Sequence, residues 1–144
     1  MIGARIDAAL ARKGQAPSSP EEARRVARGH FERGNALRAR GRLDEAEAAW
    51  REAIRLDPAL AAAHNNLAIA LAIRGDADGA ALHLAEVIRL DPRDITPRMN
   101  LGTLLGRQGK RDEALAQFDE VLRIDPGNAE AIAARERIAK SAAR

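Results

Sequence analysis

The segment Arg55-Leu-Asp-Pro58 returns as Arg89-Leu-Asp-Pro92 and again as Arg123-Ile-Asp-Pro126, at a spacing of 34 residues both times. Six more columns keep that spacing: Gly34, Ala68 and Gly102; Leu37, Leu71 and Leu105; Gly41, Gly75 and Gly109; Ala46, Ala80 and Ala114; Trp50, Leu84 and Phe118; Ala53, Val87 and Val121. Because chance does not align so many columns at one period, the chain contains an internal repeat, which decides the fold before any other feature.

Each repeat unit reads as two helices joined by a turn. The proline follows an apolar helical run and, lacking an N–H group, marks a boundary between helices. The glycine near the middle, such as Gly75, follows another apolar run and can take the left-handed conformation that ends a helix. Acidic residues such as Asp76 then begin the second helix, where the helix dipole favours negative charge. Small residues such as Gly34 are predicted to let the two helices approach closely beside a large residue such as Trp50.

The 34-residue pattern resembles the tetratricopeptide repeat. That family's pattern has a large residue, Leu, a small residue and a large residue in the first helix, then Ala, an aromatic residue and Ala in the second, and Pro at the end. Residues 27–60, 61–94 and 95–128 match it. The resemblance implies an all-α fold, a right-handed α-solenoid of three helix–turn–helix repeats closed by a C-terminal capping helix.

The early large position, usually Trp in the family, is occupied by His30, His64 and Arg98, and Arg33 takes the Leu position of the first repeat. These departures predict looser packing at the front of the first repeat, without changing the fold.

The ends of the chain predict its organisation. Ser19-Pro20-Glu21-Glu22 has the features of a helix start, with Ser as N-cap, Pro at the first position and Glu closing a capping box. The repeat domain is therefore expected to span 20–144, with a capping helix over 129–143 that covers the last apolar surface. Residues 1–19 are expected to form an N-terminal segment, a short helix followed by a Pro/Ser linker.

Composition excludes several classes of function. The sequence has no cysteine, which removes disulfides, thiolate metal sites and thiol catalysis. Only 2% of residues are aromatic and acids are interspersed with bases, whereas nucleic-acid binding favours a basic stripe with aromatic side chains. The sequence contains no apolar run of the ~20 residues needed to span a membrane. We expect a cytoplasmic protein that binds no nucleic acid.

The sequence offers no recognisable catalytic set, cofactor site or metal site. Gly102, Gly106 and Gly109 lack the strand before them and the Lys-Ser/Thr after them that a phosphate loop requires, so helix packing explains them better. His30 and His64 share a repeat position that packs between helices, and His83 with Glu86 makes an incomplete metal site. We therefore expect a protein that is not an enzyme.

The resemblance implies that a partner binds in the concave groove lined by the first helices. Its positions correspond here to Arg28, Phe31, Asn35, Arg38, Asn65, Asn66, Ile69, Ile73, Thr96, Met99, Asn100, Thr103 and Arg107. Asn amides both donate and accept hydrogen bonds, as the backbone of an extended peptide requires, and Arg side chains pair with carboxylates. A protein or peptide partner with acidic groups is expected; the alternative for the Asn residues is structural hydrogen bonding.

One variant of the family binds the acidic C-terminus of heat-shock chaperones through Lys, Asn, Asn, Lys and Arg. At those positions this chain has Phe31, Asn35, Asn66, Thr96 and Asn100, so both Asn residues match and all three cations are missing. A chaperone-tail ligand is therefore disfavoured. Three roles follow for the protein: a peptide-binding adaptor, a self-associating homo-oligomer, or a regulatory module that serves a separate enzyme.

Overall fold

The computed structural model describes residues 14–141, and every regular element within that range is an α-helix. The helices are α1 (Pro20–Ala39), α2 (Leu43–Leu56), α3 (Ala61–Arg74), α4 (Ala77–Leu90), α5 (Ile95–Arg107), α6 (Arg111–Ile124) and α7 (Ala129–Ser141). The short helix predicted before residue 14 and the last residues of the predicted capping helix lie outside the described residues.

The helices pack in the sequential pattern of a solenoid. The most extensive contacts join α1 with α2, α3 with α4 and α5 with α6, which are the helix pairs of the three repeats. Smaller interfaces join α2 with α3, α4 with α5 and α6 with α7, so each repeat meets only its neighbours. The prediction of an all-α helical-repeat solenoid is confirmed.

Within a repeat, a large side chain of the second helix fills the gap left by a small residue of the first. A Cβ atom at Gly34 would lie 2.5 Å from Trp50 Nε1, and one at Gly102 would lie 2.8 Å from Phe118 Cζ. Trp50 is 0% exposed and Phe118 is 1% exposed. The predicted pairing of small with large residues is therefore confirmed, and it explains why two glycines occur inside helices despite their low helix propensity.

The turns within the repeats follow the glycine column. Gly41, Gly75 and Gly109 have φ angles of 74°, 88° and 74°, the left-handed conformation predicted for them. At the start of α1, Ser19 Oγ accepts a hydrogen bond of 3.1 Å from the backbone N–H of Glu22, as the N-cap prediction requires. The Glu22 carboxylate in turn accepts a 2.8 Å bond from the backbone N–H of Ser18.

Charged contacts join neighbouring repeats. Arg74 at the end of α3 pairs with Asp44 and Glu47 of α2, and the Glu47 side chain is buried. Arg135 of α7 lies 2.5 Å from Asp119 of α6. These pairs connect the second helix of one repeat with the first helix of the next unit and add to the packing between those helices.

Candidate functional site

The residues predicted to line the groove all lie on α1, α3 and α5. Seven of them are exposed: Arg28, Arg38, Ile69, Ile73, Thr96, Thr103 and Arg107. Six are half-buried: Phe31, Asn35, Asn65, Asn66, Met99 and Asn100. Phe31 and Met99 pack partly against the core rather than standing free. We call the surface formed by these thirteen residues the α1–α3–α5 face.

Where the first repeat meets the second, Asn35 of the face forms hydrogen bonds that stabilise the fold. Asn35 Oδ1 accepts a 3.2 Å hydrogen bond from the indole Nε1 of Trp50 and a 2.8 Å bond from Asn66 Nδ2. One carbonyl oxygen has two lone pairs, so both are occupied by the fold itself. The amide pair therefore holds α1 to α3 and satisfies a fully buried indole; Asn35 Nδ2 and Asn66 Oδ1 are the atoms left for a ligand.

Where the second repeat meets the third, the amides are less engaged. Asn100 occupies the repeat position of Asn66, but the residue that it would meet, equivalent to Asn35, is Ile69. Asn100 Nδ2 instead reaches Asn65 Oδ1 at 3.5 Å, the upper limit for a hydrogen bond. The Asn100 side chain is consequently more available to a bound molecule than its counterpart in the second repeat.

A pocket of about 370 Å³ opens beside Asn100. Its apolar wall is formed by Ile69, Ile73 and Leu104, and its polar lining by Asn100, Thr103, Arg107 and Glu130. We call this the α3–α5 pocket. Ile69 is 38% exposed and Ile73 is 72% exposed, which makes the pocket an apolar surface open to solvent. Five of the thirteen predicted residues thus come together in one cavity.

The pocket also brings together two charges that lack partners. In the second helices, a Glu accepts hydrogen bonds from an Arg three residues later: Glu52 with Arg55, Glu86 with Arg89, Glu120 with Arg123. The hydrogen bond from Arg lowers the pKa of each of these carboxyls. By contrast, across residues 14–141 neither Arg107 nor Glu130 forms an ion pair. These three Glu–Arg pairs of the second helices neutralise each other locally, whereas Arg107 and Glu130 line one pocket without pairing.

Five residues that line the pocket are not in the predicted set: Ala68, Ala72, Leu84, Leu104 and Glu130. Leu104 follows Thr103 on α5 and is half-buried against the core, so its repeat position alone indicates packing. Glu130 lies on α7, which is not part of a complete repeat. Its signal was nevertheless present, because it holds the same repeat position as Arg28 and Thr96, one residue after the start of the unit.

Two of the three histidines form a pair inside the second repeat. His64 Nδ1 lies 2.9 Å from His83 Nδ1, and His64 Nε2 lies 2.9 Å from the carbonyl oxygen of Pro58. Because that carbonyl only accepts, His64 Nε2 carries a proton and His64 Nδ1 accepts from His83. Burial, followed by the charges of His64 and Arg51, lowers the pKa of His83. The pair is a packed structural contact, as predicted for His64.

The described residues contain no group of three or more His, Asp and Glu side chains placed to hold a metal ion. Within residues 14–141, no helix combines the length and the apolar character needed to cross a bilayer.

Comparison with known proteins decides the family. A family described as "TPR repeat" matches residues 34–73, and one described as "Tetratricopeptide repeat" matches residues 71–138. This chain belongs to the tetratricopeptide-repeat family. A comparison with curated proteins finds no match.

Solved structures of tetratricopeptide-repeat (TPR) domains are similar to the chain. The TPR domain of Arabidopsis OM64 has a TM-score of 0.74 at 24% identity, covering 83% of this chain and 98% of that one. The first TPR domain of Spaghetti (RPAP3), bound to the HSP90 peptide SRMEEVD, has a TM-score of 0.76 at 22% identity, with 84% and 96% covered. The second TPR domain of human RPAP3, in complex with the HSP70 peptide SGPTIEEVD, has a TM-score of 0.70 at 26% identity, with 83% and 98% covered.

Proposed function

We propose that this tetratricopeptide-repeat protein is a non-catalytic adaptor that binds a peptide segment of a partner protein on its α1–α3–α5 face. The observation that carries the proposal is the α3–α5 pocket, where exposed Ile69 and Ile73 lie beside the underused amide of Asn100. Concave apolar surface with a few convergent polar groups is typical of binding sites. A cytoplasmic location and a partner other than nucleic acid stay predictions from the sequence.

Two structural relatives bind heat-shock peptides that end in Glu-Glu-Val-Asp, which supports peptide recognition in general. The same ligand is not proposed for this chain. Phe31 and Thr96 stand where the heat-shock-binding variant has lysines, and Asn100 stands where it has arginine. Each charge-assisted hydrogen bond lost in this way costs about 1.5–3 kcal/mol, so those tails should bind weakly.

A selection from an mRNA-displayed library of random dodecapeptides tests the proposal. Enriched peptides are then measured by fluorescence anisotropy against the wild type, Ile73→Gln and Leu82→Gln. Ile73 and Leu82 are 72% and 74% exposed, which makes them a matched pair on different surfaces. Loss of one buried aliphatic side chain costs about 1.5–3 kcal/mol, so Ile73→Gln should weaken binding roughly 10-fold or more and Leu82→Gln should leave it unchanged.

If no peptide is enriched, the chain does not act as a peptide-binding module. If Leu82→Gln abolishes binding while Ile73→Gln does not, the functional surface lies elsewhere and the proposed face is wrong.

Self-association is the second candidate, and one surface favours it. A groove of about 580 Å³ runs between α4 and α6 and is lined mainly by apolar side chains, including Ala81, Leu82 and Ala85. An exposed apolar groove of this kind can mark contact with a second copy. Sedimentation equilibrium over a wide concentration range tests this: a dimer that Leu82→Gln dissociates would support self-association, and a monomer at all concentrations would refute it.

A further inference from the structure

This inference rests on the proposal above that the α1–α3–α5 face binds peptides. The interface between the first and second repeats differs from the interface between the second and third, and the difference indicates the kind of peptide that binds. The first interface carries an amide pair whose bridging oxygen is already occupied by Trp50 and Asn66. The second interface replaces one of those amides by Ile69 and leaves the other, Asn100, with one long hydrogen bond. The amides of the first interface are thus held by two hydrogen bonds to one oxygen, whereas the second interface has an apolar side chain and a weakly held amide; we call the second the open interface.

The open interface is apolar in the middle. Ile69 and Ile73 are two of the four large hydrophobic residues that are exposed among residues 14–141, and both line the same pocket. Leu104 completes the wall from α5. An aliphatic side chain seated there would shield all three from water, and the pocket volume of about 370 Å³ is ample for one such side chain.

The margins of the open interface are polar and of opposite sign. Arg107 lies in the last turn of α5 and Glu130 in the first turn of α7, and neither has an ion-pair partner within the described part of the chain. A ligand that covers the apolar wall therefore meets one cation and one anion, and complementary charges on the ligand would pair with both.

We propose that the ligand is an extended, internal peptide segment with one bulky aliphatic side chain flanked by an acidic residue on one side and a basic residue on the other. The aliphatic side chain packs against Ile69, Ile73 and Leu104. The acidic residue pairs with Arg107 and the basic residue with Glu130, while the Asn100 amide bonds the peptide backbone. A free C-terminal carboxylate is not required, because the cations that would hold one are absent from the corresponding positions.

The test uses the same mRNA-displayed dodecapeptide library, whose peptides present no free C-terminal carboxylate. It is selected in parallel on the wild type, Glu130→Gln, Arg107→Gln and the control Glu136→Gln. Glu136 is exposed on the same helix as Glu130 but does not line the pocket. All three changes involve exposed side chains, and far-UV circular dichroism verifies that the helices are retained.

The wild type should enrich peptides with Leu, Ile, Met or Val between an acidic and a basic residue. Glu130→Gln should remove the preference for the basic residue, Arg107→Gln the preference for the acidic one, and Glu136→Gln neither. Each single change should weaken the best wild-type peptide about two- to fivefold, the effect of losing one exposed ion pair. The same peptide made as a free acid and as an amide should bind within about twofold, because no charge contact depends on its terminus.

The possible failures are distinguishable. Absence of enrichment on the wild type would refute peptide binding itself. Enriched peptides that lack an aliphatic anchor, or that ignore Glu130→Gln and Arg107→Gln, would leave peptide binding in place and overturn this inference. A selected peptide that binds far more tightly as a free acid than as an amide would also overturn it.

Discussion

Replacing Gly34 with Ala should destabilise the protein, whereas the same replacement at Gly29 of the same helix should stabilise it. Both glycines lie inside α1, so both gain helix propensity of about 0.5–1 kcal/mol from the methyl group. A Cβ atom at Gly29 meets nothing within 4 Å. The Gly29→Ala variant should therefore unfold with a free energy about 0.5–1 kcal/mol higher than that of the wild type.

At Gly34 the gain is outweighed by a clash. The new Cβ atom would lie 2.5 Å from Trp50 Nε1 and 2.6 Å from Trp50 Cδ1, and the indole is fully buried. Overpacking of this kind costs about 1–3 kcal/mol. Displacement of the ring also breaks its hydrogen bond to Asn35, which contributes about 1 kcal/mol. After the propensity gain, Gly34→Ala should lose about 1–3 kcal/mol, a difference of about 2–4 kcal/mol between the two variants.

Urea unfolding measures this difference, with far-UV circular dichroism for the helices and tryptophan fluorescence for the first repeat. Trp50 is the only tryptophan of the sequence, so its emission reports the site of the clash directly. The Gly34→Ala variant should unfold at lower urea than the wild type and Gly29→Ala at higher urea. A Gly34→Ala variant as stable as Gly29→Ala would refute the argument, because it would mean that the indole moves aside without cost.

Three further outcomes are expected. Asn35→Ala leaves Trp50 Nε1 and Asn66 Nδ2 without their acceptor and should lower the free energy of urea unfolding by about 1–3 kcal/mol. Asn65→Ala loses only a long hydrogen bond and should lower it less; equal losses would contradict the structural role of the Asn35–Asn66 pair. Ile69→Asn places an amide at the second interface and removes part of the apolar wall of the α3–α5 pocket. Peptides from the selection should therefore bind about 3–10-fold more weakly by fluorescence anisotropy, and unchanged binding would argue against the pocket. The pKa of His83 is lower in the folded chain than its ordinary value of about 6.5, so the unfolded chain takes up more protons and stability should fall as the pH drops below about 7. His83→Gln should reduce this dependence, as measured by urea midpoints at several pH values, and an unchanged dependence would contradict the assignment.

The 34-residue period was sufficient to predict the fold, because two repeat positions that contact each other in one unit are expected to do so in every unit. Gly34 with Trp50 and Gly102 with Phe118 are pairs of columns that become pairs of touching side chains. The turn glycines were equally predictable, since a left-handed residue is needed at the same point of every unit. The face proposed for binding follows from the same alignment of repeat positions, but its detailed chemistry does not.

The repeat pattern does not show which polar groups of the α1–α3–α5 face are already hydrogen-bonded. The sequence gives the same hydrogen-bonding groups to Asn35, Asn66 and Asn100. In the structure, the Asn35 oxygen accepts hydrogen bonds from Trp50 and Asn66, whereas Asn100 forms only one long hydrogen bond. The sequence pattern predicts for the capping helix only that it covers the core, so it gives no role to Glu130. Its position beside the pocket depends on how α7 stacks on the third repeat.

The sequence by itself determined which residues face the core, where each helix ends and which face is shared by the first helices, because these properties depend on local periodicity and on contacts within one unit. Only the tertiary structure decided which amide oxygen is already occupied, that His64 meets His83, and that Arg107 and Glu130 share one pocket. Those contacts join side chains from different helices, and their distances depend on the offset between stacked helices. A repeat pattern fixes the order of the helices along the chain but leaves that offset to the packing of the side chains between them.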